Sequence, residues 1–213
     1  MNEQYFNLMK EKSEWFENLP NGIEILTDKE DIARVEEENK TVIGVIYEDE
    51  YIVFLKDAVR FADGMTGTYI RIYHKNEGGV AILIFCGDKI LLLNHFRHSL
   101  RKWVWETPRG FGEKNQSPIE NALRETNEEL GVQPYNVELL GEIAPDAGVF
   151  GNTVTLFKAN VPNECNINFE VHEGIGGFRL FSKSEVKEAI VSGEIVDGIT
   201  IASIALAEYK GII

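Results

Sequence analysis

The chain has 213 residues, 44% hydrophobic and 26% charged, with 35 acidic against 21 basic side chains and a formal charge of −14. That length allows one generous domain, or a domain with a sizeable extension. An acidic surface argues against broad binding to DNA or RNA, which takes basic patches, but leaves room for a small phosphate-bearing ligand neutralised by a metal. No 18-residue apolar run and no leader-like N-terminus is present, so neither membrane nor secretion is expected. The two cysteines, Cys86 and Cys165, fall in no motif, which fits a reducing cytoplasm.

Taken in chain order, residues 2–19 carry apolar side chains at helical spacing and end at a Pro-Asn-Gly turn. A second helix is predicted over 28–38. The stretch 41–61 is rich in β-branched and aromatic residues, and 68–74 repeats that character after a Gly-rich turn, so both read as strands. Residues 78–98 read as a strand, a Gly-Asp turn and a second strand. Further strands are predicted over 137–146, 152–161 and 177–181, and helices over 183–192 and 198–209. Strands followed by a helix, then strands, then helices predict an α+β chain with a mixed sheet covered by helices. The first 75 residues are read as an N-terminal extension of helices and strands, and 76–213 as the main domain.

The most informative segment is "GFGEKNQSPIENALRETNEELGV", Gly110 to Val132. Ser117 and Glu120 form a capping-box pattern, Pro118 suits the first helical position and Gly131 suits a left-handed C-terminal cap. Ile119, Ala122, Leu123, Thr126 and Leu130 fall on one face, which is expected to pack inward. Glu125, Glu128 and Glu129 crowd the remaining surface, where each like-charge pair at such spacing costs roughly 0.2–0.5 kcal/mol. Arg124 relieves Glu128 four residues on. A solvated acidic face is one reading. A hard divalent cation is the other, because Mg²⁺ takes carboxylates, waters and substrate phosphates as ligands.

This segment resembles the Nudix box, a Gly, five residues, a Glu, seven residues, Arg-Glu, an apolar residue, any residue, Glu-Glu, any residue, Gly and an apolar residue. Gly110, Arg124, Glu125, Glu128, Glu129, Gly131 and Val132 match it. Gln116 stands where the family has its first Glu, and Thr126 replaces the apolar residue. The stretches "NHFRHSLRKWVWETPRGF" and "SGEIVDGITIASIALAEYKG" are similar to the flanks of the box in ADP-ribose pyrophosphatases.

The resemblance implies an α/β/α sandwich and hydrolysis of nucleoside diphosphates linked to another moiety. It implies Mg²⁺, or Mn²⁺, held by Glu125 and Glu129 with Glu128 beside them and a backbone carbonyl near Arg109–Gly110. Arg124 and Gln116 become the scaffold of the box, with Gln116 expected to hydrogen-bond Arg124 without charge assistance. The subfamily's general base is a Glu on a loop before the last strand, which implies Glu173 here, then Glu170, with Glu164 nearby and Glu128 as the remaining choice. Arg97 is the expected phosphate contact. Trp105 or Trp103 is a candidate for stacking on a base, with core packing as the alternative. Glu106 is a candidate for a ribose or base hydrogen bond, with a salt bridge as the alternative. In the subfamily the N-terminal part pairs two subunits, so residues 1–75 imply a homodimer. A non-catalytic sensor of the same fold is the second functional reading. Gln116 favours it, whereas the intact Arg-Glu-Thr-Asn-Glu-Glu run disfavours it.

Overall fold

A computed structural model describes residues 2–76, 78–113, 115–163, 167 and 174–213. These divide into two compact units, one of Met1–Lys75 with Asp146–Gly151, the other of Asn76–Pro145 with Asn152–Ile213.

The first unit begins with α1, Glu3–Glu11, and a 3-10 turn, Ser13–Phe16. The single helix predicted over 2–19 therefore breaks at Lys12. Contacts made by the turn explain the break: the Trp15 carbonyl accepts from Arg71 at 2.6 Å, and the Trp15 ring stacks on Tyr73 at 3.9 Å. Then come β1 (Glu24–Ile25), α2 (Lys29–Asn39), β2 (Gly44–Glu48), β3 (Ile52–Arg60) and β4 (Thr66–His74). β3 pairs antiparallel with β1, β2 and β4. Asp57 and Tyr5 are buried in this unit's core; Tyr5 donates to Asp57 at 2.5 Å, and Arg71 does so from the other side at 2.5 Å. Burial, then the neighbouring Asp57 charge, raises the Tyr5 hydroxyl pKa well above its usual value. The segment Asp146–Gly151 belongs to this unit through a Phe150–Ile72 bridge and a stack of Phe150 on His74.

The second unit holds β5 (Gly79–Cys86), β6 (Lys89–Arg97), β7 (Lys102–Glu106), β8 (Arg109–Phe111), α3 (Pro118–Leu130), β9 (Tyr135–Ile143), β10 (Val154–Val161), β11 (Ile175–Phe181), α4 (Lys183–Ser192) and α5 (Gly198–Tyr209). Among the described residues its sheet runs β11-β6-β5-β10-β9, with β7 on β6 and β8 on β5. β10 is parallel to β5 and the other pairings are antiparallel, so the sheet is mixed. Alternation along β5 builds both faces. Ala81, Leu83 and Phe85 pack with Val186, Ala189, Ile204 and Ala207 of α4 and α5. Val80, Ile82 and Ile84 pack with Ala122 and Leu130 of α3. The result is a helix–sheet–helix sandwich, the α+β architecture expected. Among the described residues, no helix is long and apolar enough to cross a membrane.

β7 and β8 are absent from the predicted elements. Pro108 separates them, and both exist because distant strands supply their partners: Leu93 lies opposite Glu106, and Ala81 opposite Arg109. They carry the chain from the β6 hairpin to the start of the acidic helix, and thereby set the Gly110 backbone against α3.

Candidate active site

The ends of α3 form as its sequence dictates. Ser117 and Glu120 make a reciprocal capping box, and Gly131 takes a left-handed conformation at φ 67°. The inward face differs from the expected one. Ala122, Thr126 and Leu130 are buried as expected, and the Thr126 hydroxyl is satisfied by the Ala122 carbonyl at 2.8 Å. Ile119 is 43% exposed, however, while Glu125 and Glu129 are 9% and 3% exposed. Two of the three clustered carboxylates thus lie within the protein rather than on a solvated face, which removes the bland reading of the acidic helix.

The closeness of Gly110 explains this. A Cβ at Gly110 would overlap the Glu125 carboxylate, so glycine leaves that carboxylate its place against the β8 backbone, and any side chain there would push it aside. Next to it, the Arg109 N–H donates to Glu129 Oε2 at 3.2 Å. Buried carboxylates need such partners, because an uncompensated buried charge is costly. The Gly110 backbone, Glu125 and Glu129 thus meet at one place. That set is all oxygen, which fits Mg²⁺ or Mn²⁺. No group of three His, Cys, Asp or Glu side chains converges to hold a metal among the described residues. A dication at this place would therefore rest on two carboxylates, and take backbone, water or substrate oxygens for the rest.

Arg124 organises the outer side of α3. Its Nη2 donates to Glu125 Oε1 at 2.7 Å and to the Phe111 carbonyl at 3.1 Å, and its Nη1 donates to Glu128 at 2.6 Å. Burial acts to lower the Arg124 pKa, but the charges of Glu125 and Glu128 outweigh it and the net shift is upward. The Glu128 side chain is 47% exposed and shares the Arg124 guanidinium with Glu125. Gln116 does not meet the expectation of a bond to Arg124. Its amide donates to Glu113 at 2.7 Å, and Glu113 lies 3.6 Å from Arg124 Nε. Glu113 went unrecognised in the sequence; its place three residues before Gln116 was the available signal.

A second cluster joins β6, β7, β8 and the start of α5. Glu106, 1% exposed, accepts from Arg97 Nε at 2.8 Å and from Arg97 Nη2, and from Arg109 at 3.1 Å. His95 Nδ1 lies 2.9 Å from the same carboxylate. Burial alone would raise the Glu106 pKa, but the close approach of His95, the hydrogen bonds from Arg97 and the charges of Arg109 and Arg97 bring it below the usual carboxylate value. Arg109 also meets Asp197, the N-cap of α5, at 3.0 Å. Of the two readings for Glu106, this geometry favours the salt bridge: both oxygens are engaged inside the protein. It likewise favours core packing for Trp105, whose ring stands edge-on to Phe181 at 5.6 Å in the apolar layer under α4 and α5. Trp103 is 52% exposed, with its ring against the backbone of Gly176. Glu164, Glu170 and Glu173 lie outside the described residues.

A family profile described as the NUDIX domain matches residues 75–196. Among curated proteins, the CMP-5'-(N-acetyl-N-hydroxy-3-aminopropyl)phosphonate hydrolase of Streptomyces rubellomurinus is 29% identical over 167 residues, 74% of this chain and 78% of that one. The methanol dehydrogenase activator of Bacillus methanolicus is 29% identical over 124 residues, 57% of this chain and 66% of that one. The uncharacterized Nudix hydrolase NudL of Pectobacterium atrosepticum is 35% identical over 88 residues, 39% and 46% of the two chains. A crystal structure of an ADP compounds hydrolase shares the fold with a TM-score of 0.66, at 14% identity over 80% of this chain and 93% of that one. With the box on α3 and the mixed sheet between its helices, the chain belongs to the Nudix family of hydrolases.

Proposed function

We propose that this enzyme is a divalent-metal-dependent pyrophosphatase that cleaves ADP-ribose or a related nucleoside diphosphate sugar into a nucleoside monophosphate and a sugar phosphate. The observation that carries the reading is the burial of Glu125 and Glu129 against the Gly110 backbone. Two buried carboxylates on one helical face are poorly placed for stability and well placed for a dication. The names of two similar proteins support the substrate class: one is called an ADP compounds hydrolase, and the other is named for a CMP-linked phosphonate.

In this proposal Glu125, Glu129 and the Gly110 carbonyl hold Mg²⁺ or Mn²⁺. When bound, the ion neutralises phosphate charge and makes water more acidic. Arg124 fixes the Glu125 carboxylate through its Nη2 hydrogen bond, and the Arg109 N–H fixes Glu129. Arg97 turns Nε and Nη2 to Glu106, so its guanidinium meets phosphate through the remaining edge. Glu106 and Trp105 act from behind, by holding the strands that carry the site. Glu173 is the proposed base that takes the proton of the attacking water, with Glu170 as the next choice. Residues 1–75 are proposed to pair two copies, with exposed Tyr47 and Ile70 on one face of the sheet of the first unit as the surface that would be covered.

A panel of nucleoside diphosphate derivatives, assayed with Mg²⁺ and then Mn²⁺ for both products, tests the reading. Formation of equal amounts of nucleoside monophosphate and sugar phosphate supports it. Binding without turnover across the panel replaces it with the sensor reading, which the Gln116 substitution in the box favours.

A further inference from the structure

Three carboxylates surround one guanidinium at the box. Glu125 and Glu128 take the Nη donors of Arg124 at 2.7 and 2.6 Å. The third donor, Nε–H, is buried and has no acceptor within hydrogen-bond distance among the described residues. The carboxylate nearest to it is Glu113, at 3.6 Å. Glu113 is itself held in place: its N–H donates to Asn121 Oδ1 at 2.9 Å, and its Oε2 accepts from the Gln116 amide at 2.7 Å. Asn121 is 2% exposed, and its Oδ1 also accepts from Arg124 Nη2 at 3.4 Å. Gln116 occupies the position at which the box pattern has a Glu, yet its side chain meets Arg124 only through Glu113.

From this geometry we infer that Glu113 supplies the charge missing at Gln116, and acts as a positioning residue that aims Arg124, and through it Glu125, at the metal place. This rests on the proposed metal-dependent reading of the site. The physical case is one of donor count. A guanidinium has five N–H donors in a fixed fork, so its orientation is set only when donors on more than one edge are engaged. Nη1 and Nη2 are engaged by Glu128 and Glu125 of its own helix, and Nη2 also by the Phe111 carbonyl at the end of β8, so Nε is the donor left to tie Arg124 to the loop between β8 and α3. An approach of roughly half an ångström brings Glu113 into charge-assisted hydrogen-bond range. Gln116 cannot supply the charge, because the only acceptor it offers Arg124 is a neutral amide oxygen, and its NH₂ donates to Glu113. An exposed ion pair of this kind adds little to stability. Its effect is expected on ligand orientation, where loss of an outer partner costs about 10–100-fold in metal affinity.

The test compares wild type, Glu113→Gln, Gln116→Glu and the exchange variant carrying both changes. Mn²⁺ affinity is read by electron paramagnetic resonance on substrate-free protein, and the hydrogen exchange of Arg124 Nε–H by NMR without metal. Glu113→Gln is expected to weaken Mn²⁺ binding at least about tenfold and to speed Nε–H exchange. The exchange variant, which returns a carboxylate to position 116, is expected to restore both to near the wild-type values. The inference is overturned if Glu113→Gln leaves both readouts unchanged, or if the exchange variant fails to recover either while folding normally. Should wild type bind no Mn²⁺, the metal-dependent reading fails by itself. The NMR comparison then still decides whether Glu113 anchors Arg124.

Discussion

Gly110 leaves the Glu125 carboxylate a space that a methyl group at position 110 would take. The built position of a Cβ on Gly110 falls among the carboxylate atoms of Glu125, so the glycine defines where that side chain lies. Gly110→Ala is therefore expected to displace the carboxylate. The carboxylate is the end of a flexible side chain, so little stability is expected to be lost, whereas a ligand misplaced by about 1 Å costs on the order of a hundredfold in rate. Turnover and a denaturation midpoint measured on the same sample check this. An alanine variant with wild-type turnover would show that Glu125 works from another position.

Glu129→Gln separates the catalytic from the structural part of the same site. The glutamine keeps an acceptor for the Arg109 N–H and removes one of two neighbouring buried charges, so stability without metal is expected to hold or rise. Activity is expected to fall about a thousandfold or more, since several kcal/mol of charge stabilisation depend on the bound ion. Metal at about 100 times its Kd stabilises the native state by about 2.7 kcal/mol. Thermal unfolding with and without Mg²⁺ should therefore show a rise for wild type and almost none for Glu129→Gln.

How much of this was readable in the sequence follows from the range of the interactions. The caps of α3, the hairpin β5–β6 and helices α4 and α5 are set by neighbours within a few residues, and they lie where spacing and turn residues put them. The burial of Glu125 and Glu129 was not readable, because it is imposed by β8, which precedes α3 by only a short loop but takes its place through pairing with the distant β5. The same holds for Glu106. Its salt bridges join residues of β6, β7 and β8 that no local pattern brings together. The break of the first helix at Lys12 also comes from outside, through Arg71 and Tyr73.

Glu106→Gln tests the second cluster through pH. Its folded pKa is depressed below the unfolded value, so the charged form contributes stability above the unfolded carboxyl range near 4.3, and this is lost as pH falls toward the lower folded value. At neutral pH the glutamine leaves Arg97 and Arg109 short of a buried counter-charge, a loss of about 3 kcal/mol. In acid, wild type loses the same charge by protonation. The urea midpoints of the two proteins should stand apart at pH 7 and converge as pH drops below about 4. Parallel curves would mean that the cluster contributes nothing specific to the ionised state.

The pairing of two copies is tested by light scattering at micromolar concentration. The chain mass is 24.1 kDa, and twice that value is expected. Ile70→Glu places a charge on the exposed face of β4, where it should cost folding little because Ile70 is already 40% exposed. It is expected to shift wild-type dimers toward monomers. Monomeric wild type would remove the proposed role of residues 1–75.

The proton acceptor is the remaining part of the chemistry. The metal place accounts for binding and charge, but the attacking water must still lose a proton to a group within reach. Glu128 is a weak candidate, since Arg124 holds its carboxylate at 2.6 Å on the outer side of α3. The proposed base therefore lies before β11. Glu173 immediately precedes Gly174, whose positive φ of 80° and hydrogen bond from the Phe96 N–H at 2.9 Å fix the point where β11 begins beside β6. Glu173→Gln is expected to lower kcat far more than it raises KM, because the proton transfer occurs only on the way to the transition state. A general base contributes about 10²–10⁴-fold, which sets the expected loss. Glu170→Gln is the matched comparison. A dead Glu170→Gln beside a silent Glu173→Gln would move the base to position 170. Two silent variants would return the role to Glu128, which would then have to leave Arg124 during turnover.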